Sequence, residues 1–388
     1  MNFLEWILGR WSGSFRASWI LTRLGRGSFL ALMLPVSPLV GLTAPRPNVT
    51  LDGSAARLVV DLAGGSIGDF HLKEVALNPL GWGTPSATDS GLRGFGHFLC
   101  LDRWGPPSEA EGARGMPYHG EAAHVLWQTV QEPRAEAGTV AAEMSAQLPI
   151  AGLSVRRQIR LSATQPVVLV REEITNDRPL GRIFNIVQHP TIAPPFLDAT
   201  TVVDCNGRKG FAQGNPMPHP AEPSFHWPTA LNQDGAPVNL RLLTDNPEPN
   251  VVSYAIEDRH GWVTAANPGK GLLLGYLWKT TDYPWVSLWR DVRDGKPAAR
   301  GLEFGSTGLH QPYPVLVQVG RLWDRPLFEF LDAGETRTKS YLMFLLKVSP
   351  DFRGVKQVIL EDQRLRVLER GDPRPRELTI EVAEGLQP

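Results

Sequence analysis

The sequence predicts an all-β fold, an antiparallel architecture of two packed sheets with few short helices. Apolar runs with partial period-two alternation recur along the 388-residue chain, separated by turn residues roughly every 10–15 positions. Glycine (38) and proline (34) are abundant and evenly spread, which suits many short strands joined by tight turns. No long segment carries a capped i, i+3, i+4 apolar stripe, so long helices are not expected.

The N-terminus stands apart. Residues 1–28 hold Arg10, Arg16, Arg23 and Arg26 against Glu5, and "FLALMLPVSPLVGLTA" (29–44) follows. Pro35 and Pro38 interrupt that run, and a spanning helix needs roughly 20 apolar residues. A basic leader, a short apolar run and a small-residue end have the form of a secretory signal. The expectation is export to a periplasmic or extracellular space, with no integral membrane segment in the mature chain. A start codon placed too early would produce the same text in a cytoplasmic protein. Residues 1–45 are therefore set outside the fold, and 46–388 are read as a single domain.

Within that domain, "RLVVDLAGGSIGDFHL" (57–72) reads as two strands around a Gly-Gly turn. Strands are then expected in "HVLWQTVQE" (124–132), "TVAAEMSAQL" (139–148), "LSVRRQIRLS" (153–162) and "PVVLVREEITND" (166–177), the last ending in Asn-Asp turn chemistry. Residues 205–250, with "GNPMPHPAEPSFHWPTALNQDG", read as a long irregular Pro/Gly-rich loop insertion. Strands resume at "NLRLLTD" (239–245), "VVSYAIED" (251–258), "GWVTAANP" (261–268) and "GLLLGYLW" (271–278), and the chain closes with a short hairpin (356–372) and one more strand (377–384).

Charge is balanced, with 39 Lys+Arg against 40 Asp+Glu, so no basic face steers the chain to nucleic acid. Cys100 and Cys205 lie in no C-x-x-C pair; export would permit one disulfide, and two buried thiols are the alternative. Twelve tryptophans are enough to fill a core and also to line a sugar site.

Four polar stretches stand out, each expected at a strand end or turn: "CLDRWG" (100–105), "PYHGEA" (117–122), "NIVQHPTIAPPF" (185–196) and "ARGLEFGSTG" (299–308). Arg103 followed by an His119-Gly turn, His189 in an "H-P" context, Glu303 in an "LEF.STG" context and the closing "LDAGETRTKSYLMFLL" (331–346) together resemble the galactose mutarotase-like superfamily, the aldose 1-epimerases and their sugar-binding relatives. The resemblance spans roughly 55–347. It implies a large antiparallel twisted β-sandwich, a supersandwich, with a sugar cleft, and interconversion of the α and β anomers of an aldose. No cofactor or metal is expected.

Ring opening needs a proton taken from the anomeric hydroxyl and one given to the ring oxygen. On the resemblance, Glu303 is the base, His189 the acid, and His119 shares the acid role or holds a hydroxyl. Arg103 would donate to hydroxyls, and Trp285 or Trp289 would stack on the sugar. The aspartate that helps bind sugar in the family's enzymes has only Asp258 and Asp282 as candidates. Three other functions compete. One is a carbohydrate-binding protein without turnover. Another is a glycoside hydrolase or lyase, which wants a second carboxylate such as Asp291. The third is a metal site from His119, Glu121 and His124. His124, His219 and His226 otherwise read as structural donors.

Overall fold

Two antiparallel sheets lie face to face in the computed structural model, which describes residues 46–86, 89–214, 224–371 and 376–388. The expected leader (1–45) and the middle of the Pro/Gly-rich segment (215–223, with His219) lie outside the described residues. The larger sheet has eleven strands. Its order runs Asn48–Asp52, Ala56–Asp61, Ser66–Leu72, His97–Asp102, Arg182–Ile192, Lys296–Gly305, Trp285–Arg293, Val251–Ile256, Gly207–Ala212 and Phe225–His226, and Glu329–Leu331 also pairs with Arg182–Ile192. The eight-stranded sheet runs Val202–Cys205, His260–Asn267, Leu272–Lys279, Thr336–Lys347, Val167–Asn176, Leu153–Ser162, Thr139–Leu148 and Gln128–Glu136.

Alternation explains the outer strands. Leu153–Ser162 buries every second side chain, so its sequence alternates as well. Central strands are covered on both faces. His97–Asp102 is buried at all six positions, which erases the period-two signal. The inter-sheet core includes Phe304 of the larger sheet stacked on Trp278 of the smaller, with centroids 4.1 Å apart. A polar network also sits there. Arg157 donates to Glu172 Oε1 (Nε–O 2.8 Å), Gln188 donates to Glu172 Oε2 (2.6 Å), and His97 contacts Gln188 Oε1 (3.2 Å). Every member is paired, so the network is tolerated in the core and pins the register of Arg182–Ile192.

The predicted 57–72 hairpin forms around Gly64 and Gly65, both at positive φ. The C-terminal strands form a separate three-stranded sheet, Val355–Glu361, Arg364–Glu369 and Glu377–Glu381. It packs Val355, Val358, Leu365, Val367 and Ile380 with Val167, Leu169, Trp262, Leu277 and Phe344 of the eight-stranded sheet.

Three expectations need correction. Residues 205–250 are not one irregular loop: Gly207–Ala212 is a strand of the larger sheet, and Thr229–Leu231 pairs with Pro237–Asn239. Residues 239–245 are not a strand, because the chain turns after Asn239. Residues 122–124 form a short 3-10 turn, and the following strand begins at Gln128. Cys100 and Cys205 are buried free thiols.

Candidate active site

One row of side chains across the larger sheet makes the floor of the site. Phe98 is registered opposite His189 and Ser287 opposite Glu303, and Ser253 is opposite Ser287. The pairs Gly301–Thr191 and Phe304–Gln188 bracket Glu303 and His189 as direct cross-strand neighbours. Adjacent strands lie about 4.8 Å apart, so this register brings the two functional groups together. His189 Nε2 is 3.3 Å from Glu303 Oε1. His189 and Glu303 therefore sit within strands, not at the strand ends or turns expected of their motifs.

Gly301 makes room for the carboxylate. A Cβ at this position would lie 2.7 Å from Glu303 Oε1 and 3.1 Å from the Cβ of Trp289. On the other side, the Trp104 indole N–H donates to Glu303 Oε2 at 2.6 Å. The Phe98 ring stacks on His189 at 4.3 Å, so the imidazole presents its edge to Glu303. His189 Nδ1 is 3.0 Å from Thr191 Oγ1.

His119 arrives from the "PYHGEA" turn. Its φ is 67°, a left-handed conformation costing a non-glycine residue about 1–2 kcal/mol. Two bonds to Gly105 hold it there. The His119 amide donates to the Gly105 carbonyl, and the Gly105 amide donates to His119 Nδ1, both at 3.0 Å. Because Nδ1 accepts, the proton of the neutral ring is on Nε2. Gly120 follows at φ 79°, where a Cβ would strike the Leu101 carbonyl. The His119 and His189 rings are 5.2 Å apart.

These groups open into a cavity of about 550 Å³. Its aromatic walls are Trp82, Phe98, Trp104, Tyr118 and Trp289; Gln213, Asn250, His310 and Gln311 add polar groups. Trp82 meets Trp289 edge-on at 5.7 Å. Tyr118 Oη contacts His310 Nε2 at 3.1 Å. Gln213 donates to Ser253 Oγ (2.8 Å) and to the Gly308 carbonyl (2.7 Å), and accepts from the His310 amide (3.1 Å). A larger cleft of about 830 Å³ lies elsewhere, against Asn206–Arg208, Asp258–His260 and Lys356–Glu361. Among the described residues its His226 and His260 pair with neither Asp258 nor Glu361, so the smaller cavity is the better candidate.

Burial sets the protonation states. It raises the Glu303 carboxyl to about 8, against the Trp104 hydrogen bond, which favours the charged form. Burial lowers His189 to about 3 and His310 to about 4, and holds His119 well below the usual imidazole range. Although the His189–Glu303 contact has ion-pair spacing, at neutral pH it is a carboxylic acid facing a neutral imidazole. The pair holds one mobile proton, which is what a combined acid and base requires.

Of the predicted site residues, Glu303, His189, His119 and Trp289 meet in the cavity; Arg103 and Trp285 do not. The buried Arg103 guanidinium pairs with Asp102 and with Glu111 (2.7 Å), and lies 4.8 Å over the Tyr313 ring. Burial opposes that charge, but the two carboxylates outweigh it and hold its pKa above normal. Trp285 is fully buried under Gly308, where an added Cβ would lie 2.2 Å from its ring. Asp258 is at the surface near Arg208, Asp282 accepts from the Ser340 amide, and Asp291 pairs with Arg293. None of the three lines the cavity. Glu121 is turned away, accepting from the Ile150 (3.1 Å) and Ala151 (2.6 Å) amides, which separates it from His119. Among the described residues no cluster of three His, Cys, Asp or Glu could hold a metal ion.

The sequence reading missed Trp104, Tyr118, His310 and Gln213. Trp104 and Tyr118 adjoin the singled-out Arg103 and His119, so proximity to the motifs was the available signal. His310 and Gln213 carried none.

No protein-family model matches the sequence, and no curated protein matches it. Solved structures are similar in fold. A galactose mutarotase-like protein from Clostridium acetobutylicum has a TM-score of 0.58 at 12% identity, covering 78% of this chain and 96% of that one. A galactose mutarotase related enzyme from Lactobacillus acidophilus gives 0.57 at 11% identity, covering 78% and 98%. A galactose mutarotase-like protein from Lactobacillus casei gives 0.54 at 15%, covering 77% and 100%. With its paired sheets and this site on the larger one, the chain has the galactose mutarotase-like β-sandwich fold.

Proposed function

We propose that the protein is an aldose 1-epimerase-like isomerase, interconverting the anomers of a sugar by acid/base ring opening. The observation that carries this reading is the buried Glu303–His189 pair, 3.3 Å apart, in an aromatic-walled cavity. Aromatic faces suit the C–H faces of a pyranose, and Gln213, Asn250, His119 and His310 offer partners for its hydroxyls.

The reactive form has the shared proton on His189 and a carboxylate at Glu303. Glu303 takes the proton of the anomeric hydroxyl as His189 gives one to the ring oxygen. The C1–O5 bond breaks and the C1=O1 bond forms. Rotation about C1–C2 presents the other face of the aldehyde, and the reverse transfers close the ring and restore both groups. His119, with its proton on Nε2, donates to a neighbouring oxygen.

Catalysis then needs the one-proton form of the pair. kcat/KM should be flat near neutrality and fall as the pH rises through about 8, when that proton is lost. Polarimetry of freshly dissolved α-aldoses measures both rate and profile. Glu303→Gln should abolish the acceleration while leaving sugar affinity in place; undiminished turnover would rule Glu303 out as the base. Sugar binding with no acceleration in the native protein would favour a carbohydrate-binding protein, which the same aromatic walls would also serve.

A further inference from the structure

The geometry points to the Trp104–Gly105 turn as the device that positions the acid/base groups, with Trp104 a positioning residue that orients Glu303 and favours its carboxylate through the indole N–H. The inference rests on the proposed role of Glu303 and adds a residue that contacts the base and acts through it.

Two adjacent residues reach two different functional groups. Trp104 donates to Glu303 Oε2 at 2.6 Å, and the next amide, Gly105, donates to His119 Nδ1 at 3.0 Å. The indole is almost wholly buried, so the bond is shielded from water and its direction is held by packing. Glu303 Oε1 faces His189 while Oε2 faces Trp104, so the donor secures one oxygen and leaves the other for proton exchange. The His310 ring closes over this turn, edge-on to Trp104 at 4.7 Å, and a Cβ on Gly105 would meet that ring at 2.9 Å.

The turn is braced from behind. Asp102, at φ 84° and wholly buried, pairs with Arg103 and Arg182 and accepts from Tyr313. Arg103 also reaches Glu111, whose carboxylate completes a capping box with Ser108. Arg103, expected to touch sugar, instead ties Asp102, just ahead of the turn, to Glu111, just after it. Its guanidinium is turned toward these carboxylates, while its neighbour Trp104 lines the cavity.

A hydrogen bond to a charged group typically changes an equilibrium by about tenfold or more. Trp104→Phe keeps an aromatic ring, smaller than the indole, and removes the donor. In 13C-glutamate-labelled protein, with Glu303→Gln used to assign the signal, the Glu303 titration midpoint should rise by about one pH unit. In polarimetry, the alkaline limb should move up by the same amount and kcat should fall about tenfold with KM little changed. A general loss of order would lower the rate without moving the limb. Should Trp104→Phe fail to fold, benzothienylalanine placed at 104 keeps the shape and replaces N–H with sulfur. An unmoved Glu303 midpoint in the folded variant overturns the inference. A native protein inactive on every aldose, with the midpoint still shifted in the variant, would overturn the epimerase reading and leave the positioning role standing.

Discussion

At the scale of single residues, the site depends on what surrounds Glu303 as much as on Glu303 itself. Gly301 is the clearest case, since only an absent Cβ leaves space for Oε1 beside Trp289. Gly301→Ala should displace the carboxylate, and a shift of about 1 Å can cost roughly 100-fold in rate. Polarimetry should show kcat down by about 10- to 100-fold, with circular dichroism unchanged. The raised Glu303 pKa also has a stability sign. Its folded value of about 8 exceeds the ordinary 4.5, so the stability tied to the bound proton is intact below 4.5 and lost as pH rises through 8. An amide in its place would not ionise, so Glu303→Gln should gain thermal stability over the native protein above pH 8 and gain none in this way near pH 4.

At the scale of elements, the Arg182–Ile192 strand does two jobs with adjacent residues. Gln188 enters the Arg157–Glu172 network in the core, while His189, on the opposite face, enters the cavity. A one-residue slip would exchange the two, so the core network holds the register of the candidate site. Arg157 and Glu172 are both buried, and removing one partner of such a pair costs about 3–5 kcal/mol because the other charge is left uncompensated. Arg157→Leu should lower the denaturation midpoint accordingly, and any folded fraction should lose the proposed sugar binding if register is lost. Motif reading found His189 and Glu303 but placed them at strand ends, because the strands carrying them are buried on both faces and show no alternation. It also passed over the Gly207–Ala212 strand, whose two glycines mimic loop composition but lie against Tyr254.

At the scale of the whole molecule, the C-terminal three-stranded sheet covers an apolar face of the sandwich. Ending the chain after Pro350 would uncover Trp262, Leu277 and Phe344, and the product should aggregate, as sedimentation or light scattering would show. Four histidines set the acid limit, His97 and His189 buried and His119 and His310 partly so. His97 and His189 are lowered to about 3 and His310 to about 4 by burial, and His119 is lowered by the same cause. Their contribution is complete above the ordinary 6.5 and is lost as pH falls toward 3–4, where unfolding takes up protons. The melting temperature should therefore drop on acidification from about pH 6.5, the four histidines together outweighing the single opposing change at Glu303, whose loss of stability runs from about 4.5 up to about 8 and ends there. Among the described residues no helix is long and apolar enough to cross a membrane.

The sequence by itself determined the all-β class, the hairpins at 57–72 and 356–372, and the three polar side chains Glu303, His189 and His119, because period, turn chemistry and motif are local properties of the chain. Tertiary structure decided which neighbours those side chains meet. Arg103 faces Asp102 and Glu111 instead of the cavity, Trp285 is buried beneath Gly308, and Trp104 comes to Glu303 from 199 residues away. Such contacts follow from strand order and register between distant segments. A single strand's pattern says which face a residue occupies, but not which strand is paired beside it.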